Sequence, residues 1–293
     1  MALPLESVPN FSEGRDRATI DAIAGVLSEE AQLLDVHADP DHNRSVFTVV
    51  GDDDRLVEAL IAAVACARER IDLGRHEGVH PRIGAADVVP LVPIRPDDMP
   101  RARTAATTLA RRIGHELELP VFLYGEPAEG RGPAFFRKGG PDELQRRIDE
   151  GELEPDFGPG KLDPRAGGVL VGARSPLVAF NVDLRGDLDT AREIAALVRE
   201  SGGGFPGVRA LGLDLPSAGC VQVSMNVEDW EAAELHEIVA RVEREAAARG
   251  AEVLRSELVG LMPAGAAAAA AGAALRIDGF DPSRVLELRL LDD

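Results

Sequence analysis

Gln32-Leu33-Leu34-Asp35-Val36-His37-Ala38 and Arg44-Ser45-Val46-Phe47-Thr48-Val49-Val50 are two apolar-rich runs joined by Asp39-Pro40-Asp41-His42-Asn43, a turn of polar residues and proline. They read as two neighbouring strands, and what flanks them decides the fold. Before them, residues 5–11 predict a first strand. Ser12 is then a candidate cap for a helix over about residues 15–27, where Ile20, Ile23, Ala24 and Leu27 fall on one face. After them, a helix is expected over residues 54–71 and a buried strand over residues 87–94. That order is β-α-β-β-α-β. A helix near residues 99–117 and a strand at 120–124 extend it. The same order returns downstream, with strands at 178–184, 208–214, 220–226 and 252–261 and helices at 187–199 and 231–248. The turn Pro216-Ser217-Ala218-Gly219 separates the middle two strands. The expectation is an α+β chain of two tandem ferredoxin-like subdomains, residues 1–168 and 169–293. The Gly/Pro-rich stretch 156–168 reads as the linker between them. Each sheet would carry helices on one face, and the two uncovered faces would enclose a ligand cleft.

Composition narrows the function classes. The 293 residues are 45% hydrophobic, a globular composition with ample length for a core. A net charge of −19 argues against nucleic acid as a partner. It leaves room for a local cationic pocket. No apolar run approaches the roughly 20 residues that span a bilayer. The run over residues 264–275 is a short alanine helix. The first residues, Met1-Ala2-Leu3-Pro4-Leu5-Glu6, lack the basic and apolar regions of a signal peptide. Cys66 and Cys220 stand far apart in apolar contexts and read as buried thiols of a cytoplasmic protein, a disulfide being the lesser alternative. Only Lys138 and Lys161 are lysines, both in Gly/Pro-rich loops. They fit coding bias or contacts to carboxylates equally well.

Between the second helix and the buried strand lies Gly74-Arg75-His76-Glu77-Gly78-Val79-His80-Pro81-Arg82-Ile83-Gly84-Ala85-Ala86-Asp87. A loop holding two histidines, two arginines and a proline costs entropy to order and calls for a reason. A surface turn is the simplest one. A metal hydrolase is another, since His76 and His80 are four apart, but Gly78 and Pro81 argue against one continuous helix there. Asp35, His37, Asp39 and His42 form a second cluster of metal-ligand type, of a kind that polar turns also produce.

The run His80-Pro81-Arg82-Ile83-Gly84-Ala85-Ala86-Asp87 resembles the signature of the glutamate formiminotransferases. Further segments match that family in order. They are Val8-Pro9-Asn10-Phe11-Ser12-Glu13-Gly14-Arg15, Leu33-Leu34-Asp35-Val36, His42-Asn43-Arg44-Ser45-Val46, Pro120-Val121-Phe122-Leu123-Tyr124-Gly125-Glu126, Pro155-Asp156-Phe157-Gly158-Pro159, Val171-Gly172-Ala173-Arg174, Ala179-Phe180-Asn181-Val182, Val221-Gln222-Val223-Ser224-Met225-Asn226 and Ser256-Glu257-Leu258-Val259-Gly260-Leu261. The chain departs from the family pattern at Val79, where the family usually has Glu, and at His37, where the family usually has Asp.

The resemblance implies transfer of the formimino group between N-formimino-L-glutamate and tetrahydrofolate, in histidine degradation and one-carbon metabolism, with no metal. His80 would then be the catalytic residue, since one imidazole near neutrality can take a proton from the attacking amine and return it to the departing one. Arg44, Arg82 and Arg174 are candidates for the substrates' carboxylates, because a guanidinium fork matches a carboxylate. The stretch Asp156, Gly158, Pro159, Gly160, Lys161 to Gly167 resembles the folate-contacting segment. Asn226 shares a strand face with Gln222 and Ser224, which fits a solvated face as well as a ligand contact, and is a weaker candidate. The resemblance also implies that the ligand cleft between the subdomains is a tunnel. The family suggests a homodimer, and a cyclodeaminase, where one exists, would be a separate chain. Related formyl transfer and a non-catalytic folate-binding module are the alternatives left open by Val79 and His37.

Overall fold

The computed structural model describes residues 3–128 and 130–291, in two compact units, Met1–Ser175 and Pro176–Asp293. The first is built on one mixed sheet. Its strands are β1 (Leu5–Ser7), β2 (Asn10–Phe11), β3 (Gln32–Asp39), β4 (Arg44–Gly51), β5 (Ala86–Pro93), β6 (Val121–Gly125) and β7 (Val169–Ala173). β1 and β2 both lie between β4 and β5, antiparallel to each. They are one expected strand broken at Val8-Pro9, where proline has no N–H to give to a ladder. The order across the sheet is therefore β3, β4, β1 with β2, β5, β7, β6, with β5, β7 and β6 parallel.

Helices α1 (Arg17–Glu30), α2 (Asp53–Arg70) and α3 (Met99–Glu116) pack on one face. The sequence dictates this. Ile20, Ile23 and Leu27 recur at helical spacing, and Phe11, Phe47, Val49, Val89 and Leu91 recur at strand spacing, and all are fully or nearly fully buried together. Each such side chain contributes about 1.5–3 kcal/mol of burial. The Phe11 and Phe47 rings meet edge to face with centroids 5.4 Å apart. α1 is capped by Asp16, whose side chain accepts from the Ala18 N–H, and not by Ser12. The Ser12 hydroxyl instead donates to the Gly84 carbonyl at 2.7 Å.

The stretch 156–168, expected to link the units, is part of the first. Val121 N–H donates to the Phe157 carbonyl, Gly167 bridges Gly84, and β7 follows at once between β5 and β6. The division consequently falls after Ser175. Two helices not expected from the sequence, α4 (Pro133–Arg137) and α5 (Gly140–Asp149), cover the other face over β5, β7 and β6, where Phe136 and Leu144 meet Val88, Phe122, Tyr124 and Leu170. α4 has five residues and shows no helical period to read.

The second unit is a four-stranded antiparallel sheet in the order β11 (Glu252–Val259), β8 (Val178–Arg185), β10 (Cys220–Val227), β9 (Val208–Leu215). α6 (Leu188–Val198) and α7 (Leu235–Ala248) bury Ile194, Val198, Ile238 and Val242 against Val182, Leu184, Val223 and Met225. α7 begins at Leu235 rather than at residue 231. The alanine helix α8 (Ala264–Leu275) packs on α7, and a last short helix α9 (Leu286–Leu291) ends the described chain. No described helix is long and apolar enough to cross a membrane.

Candidate active site

The loop before β5 is held on three sides. On one, Gly84 lies so close to Gly168 that a Cβ there would sit 1.8 Å from its carbonyl oxygen, which any side chain forbids. On the second, Ser12 donates through its amide to Ala85 and through its hydroxyl to Gly84. On the third is the β3–β4 turn. Val79 N–H donates to the Asp41 carbonyl at 3.1 Å, and Asn43 Nδ2 donates to the Glu77 carbonyl at 2.9 Å. Asn43 takes a positive φ of 45° there, a conformation that asparagine tolerates better than most residues. Its Oδ1 accepts from Gly14 N–H at 2.9 Å, tying in the first loop as well.

His80 is half-buried at the centre of this arrangement. Its Nδ1 lies 2.8 Å from the Pro81 carbonyl oxygen. A carbonyl can only accept, so Nδ1 carries the hydrogen and, in the neutral ring, Nε2 carries the lone pair. The His42 ring stacks against it at 5.9 Å with planes 27° apart. The His80 pKa lies well below the ordinary histidine value. Burial is the largest cause, followed by the positive charges of Arg44 and Arg137, with Asp87 opposing them.

Asp87 organises the cations. β5 pairs Val88 with Asn10 and Ala86 with Phe11, so Asp87 is an extra residue in the ladder. Such a bulge turns a side chain that would point at the helices toward the other face. There Oδ1 accepts from the Ile83 amide at 2.8 Å, and Oδ2 accepts from Arg44 Nη1 at 2.8 Å and from Arg137 Nη2. The carboxylate is fully buried. Burial would raise its pKa, but Arg137, Arg44 and the Ile83 amide together hold it well below the usual carboxylate range.

Arg44 also donates Nε to Asn10 Oδ1 at 3.0 Å, and burial, opposed by Asp87, brings it down to about 10. Arg82, likewise lowered to about 10 by burial first, donates to the carbonyls of His80, His42 and Asn43 and lies against the His76 ring. His76 Nε2 contacts the Asn43 carbonyl at 2.9 Å. Among the described residues, no group of three or more His, Cys, Asp or Glu could hold a metal ion.

The other candidates fall elsewhere. Gly167 touches the loop directly, with φ 69° and room for no Cβ beside the Ile83 carbonyl. Asp156 is used in the backbone of the sheet edge, accepting from Leu123 N–H at 2.7 Å. Gly158, Pro159, Gly160 and Lys161 are exposed, and Gly158 packs on Leu119 and Gly114 at the end of α3. Arg174 stands at the far end of β7, its amide on the Leu91 carbonyl and its charge acting on Glu6 and Tyr124. In the second unit, Asn226 is exposed. Gln222, on the same face, is buried and donates to Asp183, which also accepts from Arg255 Nε at 2.8 Å.

Sequence reasoning missed Arg137 and Asp87 as site residues. Asp87 closes the quoted motif, a visible signal. Arg137 has none, because its place depends on how α4 packs.

Comparison with known proteins agrees along the whole length. The family model of the formiminotransferase domain, N-terminal subdomain, matches residues 4–174, and that of the formiminotransferase domain matches residues 179–277. A glutamate formimidoyltransferase of Streptococcus pyogenes serotype M1 is 41% identical, covering 99% of this chain and 100% of the relative. Another from Thermoplasma acidophilum is 38% identical, covering 98% and 97%. A formimidoyltransferase-cyclodeaminase of Rattus norvegicus is 39% identical over 90% of this chain and 51% of its own length. Matched by both subdomain models and by full-length relatives, the chain belongs to the formiminotransferase family.

Proposed function

We propose that the protein is a glutamate formimidoyltransferase with its catalytic centre at His80, and that the two units are ferredoxin-like subdomains, since each has the order β-α-β-β-α-β. The observation that carries the assignment of His80 is the bond to the Pro81 carbonyl, which leaves Nε2 as the proton acceptor within the field of the buried Arg44 and the half-buried Arg137. An amine that attacks the formimino carbon must lose a proton, and the glutamate nitrogen that leaves must gain one. The amidinium is already electrophilic, so the protein has only to position it and move that proton.

Tetrahydrofolate supplies the attacking secondary amine. His80 Nε2 takes its proton as the new C–N bond forms, and gives it to the glutamate nitrogen as the old C–N bond breaks. The low pKa keeps the ring neutral and ready as a base at neutral pH. Proline after His80 disfavours helical backbone there and helps fix the ring. Arg44 and Arg82 make the surroundings cationic, as substrates bearing carboxylates require. The residues present fit a folate: Thr48 Oγ1 is buried on the β4 face that carries Arg44, without a hydrogen-bond partner among the described residues. The Gly158–Lys161 and Gly167 segment offers backbone polar groups at the end of the sheet where the His80 loop is tied.

The rat relative's name joins the transferase to a cyclodeaminase, which makes a cyclodeaminase the natural partner activity here, and the reading carries with it a cytoplasmic homodimer. Steady-state assay with N-formimino-L-glutamate and tetrahydrofolate tests the function directly. Turnover that disappears in His80→Ala is the expected result. Absence of turnover in the wild type, or full turnover in the variant, refutes the function or the residue respectively.

A further inference from the structure

Three arginines surround Asp87, and the use of their N–H groups differs. Arg44 spends Nε on Asn10 and Nη1 on Asp87. Arg82 spends Nε, Nη1 and Nη2 on the carbonyls of the loop and the β3–β4 turn. Arg137 gives Nη2 to Asp87, while its Nε is buried and meets no acceptor among the described residues. A buried N–H left without an acceptor is costly, and a guanidinium is a planar fork suited to two oxygens at once. Asp87 bonds Arg137 through Nη2 and does not answer Nε. Both of its oxygens are engaged, by the Ile83 amide, Arg44 and Arg137.

The backbone that carries Arg137 is anchored independently of these charges. Phe136, next to it, is fully buried with its ring 5.4 Å from Phe122 and 5.1 Å from Phe135. The backbone beside Arg137 is thus fixed by an apolar plug, and the guanidinium itself is held by Asp87. Its charge is also felt by His80, after burial and Arg44.

We propose that Arg137 is a specificity-determining residue that takes one carboxylate of the amino-acid substrate, so that a dicarboxylate is preferred over a monocarboxylate, with Asp87 acting as the positioning residue for its fork. The proposal rests on the transferase reading for the identity of the substrate. Its test does not require turnover.

Calorimetric titration with glutarate and with butyrate compares a dicarboxylate with a monocarboxylate of similar length. The wild type is expected to prefer glutarate. Arg137→Gln is expected to weaken glutarate by about 10–100-fold, the range of a charge-assisted hydrogen bond, and to change butyrate by no more than about twofold. Arg137→Lys keeps the charge beside Asp87 and so guards against a folding defect. It too should lose most of the preference, since an ammonium has no fork. In turnover, both variants should raise KM for formiminoglutamate more than they lower kcat. The proposal is overturned if the wild type does not bind glutarate, if either variant keeps the preference, or if glutarate and butyrate weaken alike. A wild type that shows the glutarate result but transfers no formimino group retains Arg137 as a dicarboxylate ligand and refutes the transferase reading instead.

Discussion

His80 is a base only while its ring is neutral, and burial together with two arginines keeps it so. Its conjugate acid is disfavoured, so the acidic limb of kcat/KM should lie below pH 6.5, the ordinary histidine value. His80→Ala should lower kcat by about two to four orders of magnitude, the span of a general acid–base group, with smaller changes in KM. His76→Ala should cost much less, because both ring nitrogens are occupied by Arg82 and a backbone carbonyl. A larger loss at His76 than at His80 in the same assay reverses the roles. Val79, 36% exposed beside the ring in sequence, offers a sharper probe. A carboxylate there stabilises imidazolium, so Val79→Glu should move the acidic limb upward, toward or above pH 6.5. An unmoved limb means that residue 79 points away from His80. At this scale the candidates His80, Arg44 and Arg82 could be picked out from the sequence, because they share short segments whose matches run in order. Arg137 was not. Nothing about Arg137-Lys138-Gly139 indicates which of its two cations is folded inward.

The elements that position these groups do so through close backbone approach. The sequence spacing shows the hairpin β3–β4 and the strands on either side of it, since apolar periods of two and 3.6 are read directly. It does not show that β5 bulges at Asp87. A bulge is a property of a strand pair, here β5 against β2, and one strand read alone gives no sign of it. Nor does it show that 156–168 belongs to the sheet. Glycine and proline mark turns equally well in a linker and in a loop pinned by bridges, such as Gly167 to Gly84. The pinning is open to measurement. Gly84→Ala brings a methyl group within 1.8 Å of the Gly168 carbonyl, and Gly167→Ala adds both a positive φ and a contact at 2.1 Å to Ile83. Either should destabilise the protein by about 3 kcal/mol or more, beyond the usual range of single substitutions, and should lower kcat as the loop separates from the edge of the sheet. Urea melts and turnover at a temperature where both variants remain folded check this. A variant with wild-type stability and rate would mean that the loop does not depend on that contact.

At the scale of the molecule, the same charges link the site to acid stability, and the signs can be followed. His80 and His76 both titrate lower when folded, burial being the first cause for each. Below pH 6.5 the unfolded chain therefore binds protons that the folded one refuses, and stability falls with pH until the folded pKa values are reached. Asp87 is depressed in the folded state. Its stabilisation is present above the unfolded carboxylate value of 3.8 and is lost only as pH falls through its folded pKa. Between these windows a third effect opposes the first. The net charge of −19 at pH 7 shrinks toward the isoelectric point near 4.7, which relieves self-repulsion. A nearly flat dependence of Tm on pH from 6.5 to 5 in the wild type would conceal the two contributions. The double variant His76→Gln, His80→Gln removes the destabilising one and leaves the charge relief. Its Tm should rise relative to the wild type as pH falls through that interval, and the two curves should run parallel above pH 7. Curves parallel over the whole range would show that neither histidine is held neutral by the fold, and the case for His80 as a poised base would fail with them.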